Sequence, residues 1–315
     1  MERRRTKRRR VWLVIVVKAP SQSSLPMLPD LTETEVASMR VAEGATVVRH
    51  DGRYWWAPFR GFFEPVHLIR RFSIRQVERP TRLCWGFLAA LSDDDAHLAT
   101  GSIPIHQLTD LEHFTESALG RNRRADLRKC MRQVELIQVQ DASLLLEQGY
   151  DVSDSARKRT CQPPMAEAVY RDRVSKRAGH HRRLIIAGLV DGRLGGYLEA
   201  YAVGSTLYLD KICAATEALP TGISTGLFVA AIEAGLRAGT LHQVVNGLHM
   251  PEKPGLCAFK DSLGFRVVQV PARIVMPALV EAYPKARRPG THYRLVGVKQ
   301  PRGTGLWPSA RGETS

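Results

Sequence analysis

Residues 184–270 limit the possible folds most tightly, because short turns and apolar periodicities alternate there at regular spacing. Residues 184–190 are aliphatic and stop at Asp191-Gly192, a dipeptide suited to a two-residue type I′ hairpin. Residues 194–203 read as a second strand, Gly204-Ser205 as another two-residue turn, and 206–213 as a third strand. From about Thr221 to Ala238 the apolar residues take helical spacing, and Gly239 stands where a helix ends in left-handed backbone. Residues 242–248 then read as a strand, 255–263 as a short helix and 265–270 as a last strand. A meander followed by helix, strand, helix, strand is a mixed α/β (α+β) sheet rather than a barrel or sandwich.

The second turn also sets a register. It places Val203 opposite Thr206, Tyr201 opposite Tyr208 and Glu199 opposite Asp210. With side chains alternating, Glu199, Tyr201, Tyr208 and Asp210 share one face, while Leu198, Ala200, Leu207 and Leu209 form the core face. Two facing carboxylates repel, so one is expected to have a raised pKa and to suit a general base for an amine. The alternatives are that Lys211 or an arginine neutralises the pair, or that a bulge breaks the register.

Upstream, Thr32 followed by Glu35 is a capping box for a helix over 32–41. The stretch 54–65 holds the densest aromatics, read as core closed by Pro and Gly turns, or alternatively as a stacking platform for a base or sugar. In the segment 121–132, Leu127, Cys130, Met131 and Val134 fall on one helical face and Arg121, Arg124, Arg128 and Arg132 on another. Arginine forks match phosphate oxygens, so Arg124 and Arg128 are substrate-binding candidates; a solvated face would look the same.

The chain of 315 residues has net charge +15, but residues 1–18 hold eight basic residues and one acid. That run reads as a poorly ordered extension ahead of a start at Met27, or as a tether for nucleic acid or anionic lipid. Residues 300–315 read as a disordered tail. Five scattered cysteines without a CxxC pair fit a reducing, cytoplasmic setting, and no apolar run is long enough to span a bilayer. P-loop, GxGxxG, GxSxG and HExxH motifs are absent. His180-His181 lack neighbouring ligands, Cys257 reads as a structural thiol, and no metal is expected. His249, just past a strand, is a second base candidate.

Two segments resemble a known family. The order hairpin, strand, Pro220-Thr221-Gly222-Ile223-Ser224-Thr225-Gly226, long helix, strand, short helix, Leu263-Gly264-Phe265 resembles the GNAT acyltransferase fold. The helix Phe114…Leu119…Arg123-Arg124…Leu127-Arg128 and the segment Gly255…Phe259-Lys260…Gly264 resemble the Fem-type (FemAB-like) branch. The resemblance spans 114–270. It implies a GNAT-like domain over 114–299, preceded by an aromatic-rich region over 28–113 that forms the acceptor side or a reduced first lobe.

The resemblance further implies direct transfer of an acyl group to an amine, with Thr221, Gly222, Ile223, Ser224, Thr225 and Gly226 cradling a donor pyrophosphate by main-chain amides. Phe259 would lie by the donor and Lys260 would stabilise developing negative charge; an exposed helix lysine is the alternative. Asp210, Glu199 and His249 would supply the base, and Tyr201 and Tyr208 would line the substrate. The loop departs from the usual Gln/Arg-Gly-x-Gly/Ala pattern, and no tyrosine stands where many GNAT enzymes protonate a thiolate. The implied donor is an acyl-CoA, with aminoacyl-tRNA and a peptidoglycan-precursor acceptor as the second reading. A small amine or nucleotide-linked amine is the implied acceptor, without integral membrane contact. A non-catalytic RNA- or membrane-surface-binding protein with this fold is the third reading.

Overall fold

The computed structural model describes residues 28–178 and 182–298. The basic run at 1–27, His180-His181 and the tail at 300–315 lie outside them. In chain order the elements are β1 (Asp30–Leu31), α1 (Glu33–Ala42), β2 (Val47–His50), β3 (Arg53–Phe59), β4 (Phe62–Pro65), β5 (Gly86–Ala90) and β6 (Gly101–Leu108). There follow α2 (Arg121–Gln133), β7 (Glu135–Gln138), α3 (Ser143–Arg159), α4 (Glu167–Ala178), β8 (Leu184–Val190), β9 (Arg193–Val203) and β10 (Thr206–Ala214). The chain continues through α5 (Ile223–Ala238), β11 (Gln243–Leu248), α6 (Pro254–Ser262), β12 (Arg266–Val275), α7 (Ala278–Arg287) and α8 (Pro289–Val296). No helix among the described residues is long and apolar enough to cross a membrane.

The strands form one mixed sheet in the order β2-β3-β4-β5-β12-β6-β11-β10-β9-β8-β7, with β1 alongside β9. The expected meander is present, and both turns take left-handed backbone at each central residue: φ 50° and 75° at Asp191-Gly192, 55° and 61° at Gly204-Ser205. Thr32 caps α1 through a reciprocal box with Glu35, and α5 ends at Gly239 with φ 71°. The last strand extends past the expected 270 to Val275, because β12 runs between β5 and β6 and finds partners on both sides.

α5 buries Ile223, Leu227, Phe228 and Ile232 against Leu198, Ala200, Leu207 and Leu209, as the alternation requires. Each fully buried side chain of that size contributes roughly 1.5–3 kcal/mol. The opposite face is covered too. α1 and residues 66–69 cover it, so Tyr201, Val203 and Tyr208 are buried with Val36, Met39 and Ile69. The aromatic stretch is core, with Trp55, Phe62 and Phe63 buried. On α2, Leu127, Cys130 and Val134 pack inward as expected, but Met131 is 61% exposed. The seam of this helix is narrower than a three-residue and four-residue spacing alone implies.

β10 and β11 are parallel neighbours for only three residue pairs, the last being Tyr208 with Val245. Both then bulge. β10 slips one residue between Leu209 and Lys211, and β11 loses register with β6 between Val245 and Leu248, where Gly247 takes φ +64°. Bulges bend and twist a strand, and no pairing joins β10 to β11 beyond this point.

Candidate active site

Two clusters flank the place where β10 and β11 stop pairing. The first contains the carboxylates singled out from the register. Pairing follows the expected register from Val203–Thr206 to Ala200–Leu209, but the bulge sets Lys211, not Asp210, opposite Glu199. Asp210 turns instead toward three arginines from distant segments. Arg183 Nη1 donates to it at 2.9 Å, with Arg177 Nη1 at 3.6 Å and Arg40 Nη1 at 3.8 Å. Glu199 pairs with Arg177 at 3.1 Å and Lys211 at 3.7 Å, while Glu43 pairs with Arg183 and Arg40.

The expectation of a raised Asp210 pKa is therefore reversed. Burial alone would raise it, but Arg40, Arg183 and Arg177 outweigh burial and hold this carboxyl down at about 2. Asp210 is a fixed negative charge at neutral pH. In this cluster the carboxyl poised near neutrality is Glu64, pushed up to about 7 by burial against the pull of Arg40 and the Trp56 indole. Sequence reasoning passed over Glu64, Arg40 and Arg183. For Glu64 and Arg40 the only local signal is a charge set inside an apolar or aromatic run, as Glu64 sits between Phe63 and Pro65.

Tyr201 and Tyr208 stack with ring centroids 5.2 Å apart and planes 12° from parallel. Both hydroxyls are already engaged. The Tyr201 hydroxyl accepts from Arg40 Nη2 at 3.1 Å, and that of Tyr208 bonds His67 Nδ1 at 2.8 Å and accepts from the Ile69 amide at 3.3 Å.

A pH experiment reads the first cluster. The ordinary Asp value near 3.8 lies above the folded value near 2, so the stability this group supplies is full above about pH 4 and lost as pH falls toward 2. The shift corresponds to about 2 kcal/mol. Asp210→Asn is expected to melt lower than wild type at pH 7, with the gap closing between pH 4 and 2. A gap independent of pH would show that the arginines do not hold the charged form.

The second cluster lies at the far end of β11. Lys260, on α6, is 6% exposed and donates from Nζ to the Asn246 carbonyl at 2.6 Å. It is not an exposed helix lysine. The β11 bulge interrupts the ladder at Asn246, and Lys260 takes that carbonyl. Burial pushes the ammonium down to about 8, partly offset by Cys257. Phe259 beside it packs on Phe228 at 5.6 Å between centroids and lies under the Arg123 guanidinium at 5.1 Å. His249 Nδ1 bonds the Tyr293 hydroxyl at 2.8 Å, and its ring meets that of His106 edge to face at 5.3 Å. His106, Asn246 and Tyr293 come from β6, β11 and α8, and no motif in the chain links them.

The loop ahead of α5 is tightly packed. Gly222 holds φ +78°, and a Cβ there would stand 2.2 Å from the Asp126 carbonyl oxygen of α2. Ile223, Thr225 and Gly226 are buried, Arg123 donates to the Thr225 hydroxyl at 3.4 Å, and the Thr221 hydroxyl donates to the Ala218 carbonyl at 2.7 Å. Thr221 and Ser224 remain half-exposed. On α2, Arg121 and Arg132 are exposed, Arg124 is half-buried, and Arg128 pairs with Glu116 at 3.6 Å on the surface.

No protein-family model matches the chain, and no curated protein matches it. Solved structures do. The C-terminal domain of a putative lysylphosphatidylglycerol synthetase from Agrobacterium fabrum is similar over 84% of this chain and 98% of its own, with TM-score 0.51 and 12% identity. L-PGS from Bacillus licheniformis is similar over 88% of this chain and 100% of its own, with TM-score 0.52 and 14% identity. FemX is similar over 81% and 93%, with TM-score 0.56 and 10% identity. These likenesses extend well beyond residues 114–270, into the part of the sheet built from 28–108. The chain has the mixed α/β fold shared by FemX and the lysylphosphatidylglycerol synthetase domain.

Proposed function

We propose that this protein moves an aminoacyl group from the ester of a charged tRNA to an amine acceptor, by direct attack with both substrates bound. The observation that carries this reading is the seat of α2 on the first turn of α5. The GNAT resemblance implies a pyrophosphate wrapped by that turn, yet the Asp126 carbonyl lies against Gly222, and Ile223 and Thr225 are buried there. The same helix presents Arg121, Arg128 and Arg132 outward, which suits an extended polyanion better than a single pyrophosphate. Likeness in fold to a lysylphosphatidylglycerol synthetase domain, whose name describes an aminoacylated product, supports the same reading.

The chemistry asks little of the protein. The amine nitrogen bonds to the ester carbonyl carbon and gives up a proton to solvent, the C–O bond to the tRNA breaks, and the departing oxygen takes a proton. Lys260, held at Asn246 and shielded from water, donates to the developing oxyanion or to that departing oxygen. Asp210 and Glu199 act as fixed counter-charges that place Arg177 and Arg183.

Acyl-CoA is the second reading, favoured by one observation. Gly222 offers no side-chain cap to α5, so its first-turn amides have no side-chain acceptor, and Thr221 and Ser224 lie half-exposed beside them. A salt titration separates the donors. Affinity for tRNA is expected to fall linearly in log–log form with salt, by about 0.7–0.9 in slope per phosphate contact. Arg128→Ala with Arg132→Ala should flatten that slope by about one to two contacts. Absence of tRNA binding, with a thermal shift by CoA thioesters that survives high salt, would overturn the choice of donor.

A further inference from the structure

Three side chains of metal-ligand type converge beside Lys260 from three separate elements. His106 comes from β6, His249 from the segment leaving β11, and Cys257 from α6; one ligand atom of each lies within 4.8 Å of the other two. Two further observations point to something bound there. His106 is 1% exposed, and its buried Nδ1 has no hydrogen-bond partner among the described residues. An unmet buried polar atom costs about 1–3 kcal/mol, so such atoms are rare without a reason. His249, for its part, is oriented. Its Nδ1 bonds the Tyr293 hydroxyl at 2.8 Å, and the Gln269 amide donates to that same hydroxyl at 2.9 Å. This fixes the ring and leaves Nε2 as the nitrogen without a hydrogen bond among the described residues. An imidazole held at one nitrogen by an outer partner is the usual arrangement of a metal-bound histidine.

We propose that His106, His249 and Cys257 bind a divalent cation of borderline softness, zinc being the best fit, with a fourth position left open. Two imidazoles and a thiolate select zinc over magnesium or calcium, which prefer oxygen ligands. Ligand atoms around tetrahedral zinc stand about 3.3–3.8 Å apart, given metal–ligand bonds of about 2.0–2.3 Å. The three groups therefore need to close by roughly 1 Å. Cys257 and His249 are only half-buried and have room to turn. On binding, the Cys257 thiol releases its proton to solvent and its contact with the Met250 carbonyl, 3.2 Å away, becomes a non-bonded one. The thiolate charge offsets that of the neighbouring Lys260 ammonium, which Cys257 already stabilises. The site reassigns His249 from base to ligand, and it stands whether or not the chain transfers aminoacyl groups.

Cobalt(II) added to the chelator-treated full-length chain tests this without any turnover assay. One equivalent is expected to give a thiolate-to-cobalt charge-transfer band and the intense visible bands of tetrahedral cobalt, both erased by zinc. Cys257→Ser should abolish the charge-transfer band, and Tyr293→Phe should weaken binding by about 10- to 100-fold through loss of the outer partner. His106 is too buried for its variants to be safe, whereas Cys257 is half-buried and circular dichroism verifies that its variant is folded. Zinc should also raise the wild-type melting temperature and leave that of Cys257→Ser unmoved. Lack of any tetrahedral cobalt spectrum in wild type, or an unchanged charge-transfer band in Cys257→Ser, overturns the site.

Discussion

Lys260→Met is expected to lower the rate of aminoacyl transfer by about 10²–10³-fold, the usual effect of removing one preorganised donor at a developing oxyanion. The loss should fall on kcat, since the proposed role of Lys260 is at the reacting atoms and not at the phosphates. Stability should hold or rise. Lys260 is 6% exposed and its pKa is pushed down to about 8 by burial, so a charged ammonium is carried at a cost that an isosteric thioether removes. The Asn246 carbonyl loses its partner in exchange, which limits the gain. Activity lost together with stability would instead mean that Lys260 is a structural strut. Unchanged turnover would remove it from the mechanism.

Arg183→Met is expected to produce the largest loss of stability, about 3–5 kcal/mol, because it breaks a buried ion pair and leaves Asp210 and Glu43 with only the longer contacts to Arg40 and Arg177. The Arg183 side chain is fully buried, donates to Asp210 at 2.9 Å and pairs with Glu43. Its guanidinium also lies 5.4 Å from the Tyr201 ring centroid. Removing it leaves Asp210 and Glu43 facing each other across the seam between α1 and β10. Urea unfolding measures the loss. Adding Asp210→Asn and Glu43→Gln to Arg183→Met should recover part of it, since the under-compensated charges go with their partner. A variant within about 0.5 kcal/mol of wild type would show that the cluster is a solvated surface feature.

The secondary structure from 184 to 270 was legible because its signals are local. Asp191-Gly192 and Gly204-Ser205 force left-handed backbone, Gly239 ends α5, and alternation names the inward residues of β9 and β10. The register was legible as far as Ala200 opposite Leu209 and failed one residue later. A bulge adds a residue without altering local composition, so nothing at Asp210 announces it. The cover over the face of Tyr201 and Tyr208 was not legible, because α1 and residues 66–69 lie more than a hundred residues upstream. The arginine cluster escaped for the same reason. Arg40 and Arg177 reach Asp210 from α1 and α4 and Arg183 from just ahead of β8, and no spacing rule relates them. Lys260 was picked out by resemblance, but its burial depends on a carbonyl freed by the bulge at Asn246-Gly247. The partners of His249, namely His106 and Tyr293, are likewise visible only in three dimensions.

Transfer from charged tRNA is the central claim, and the linkage of the product tests it most directly. The full-length chain would be incubated with a mixed pool of tRNAs carrying labelled amino acids, together with a pool of primary amines. An aminoacyl ester is cleaved by mild alkali and an amide is not. Wild type is expected to convert alkali-labile label into alkali-stable label, with Lys260→Met slower by about 10²-fold or more. Label that stays wholly alkali-labile, while acyl-CoA supports amide formation by the same preparation, would contradict the account.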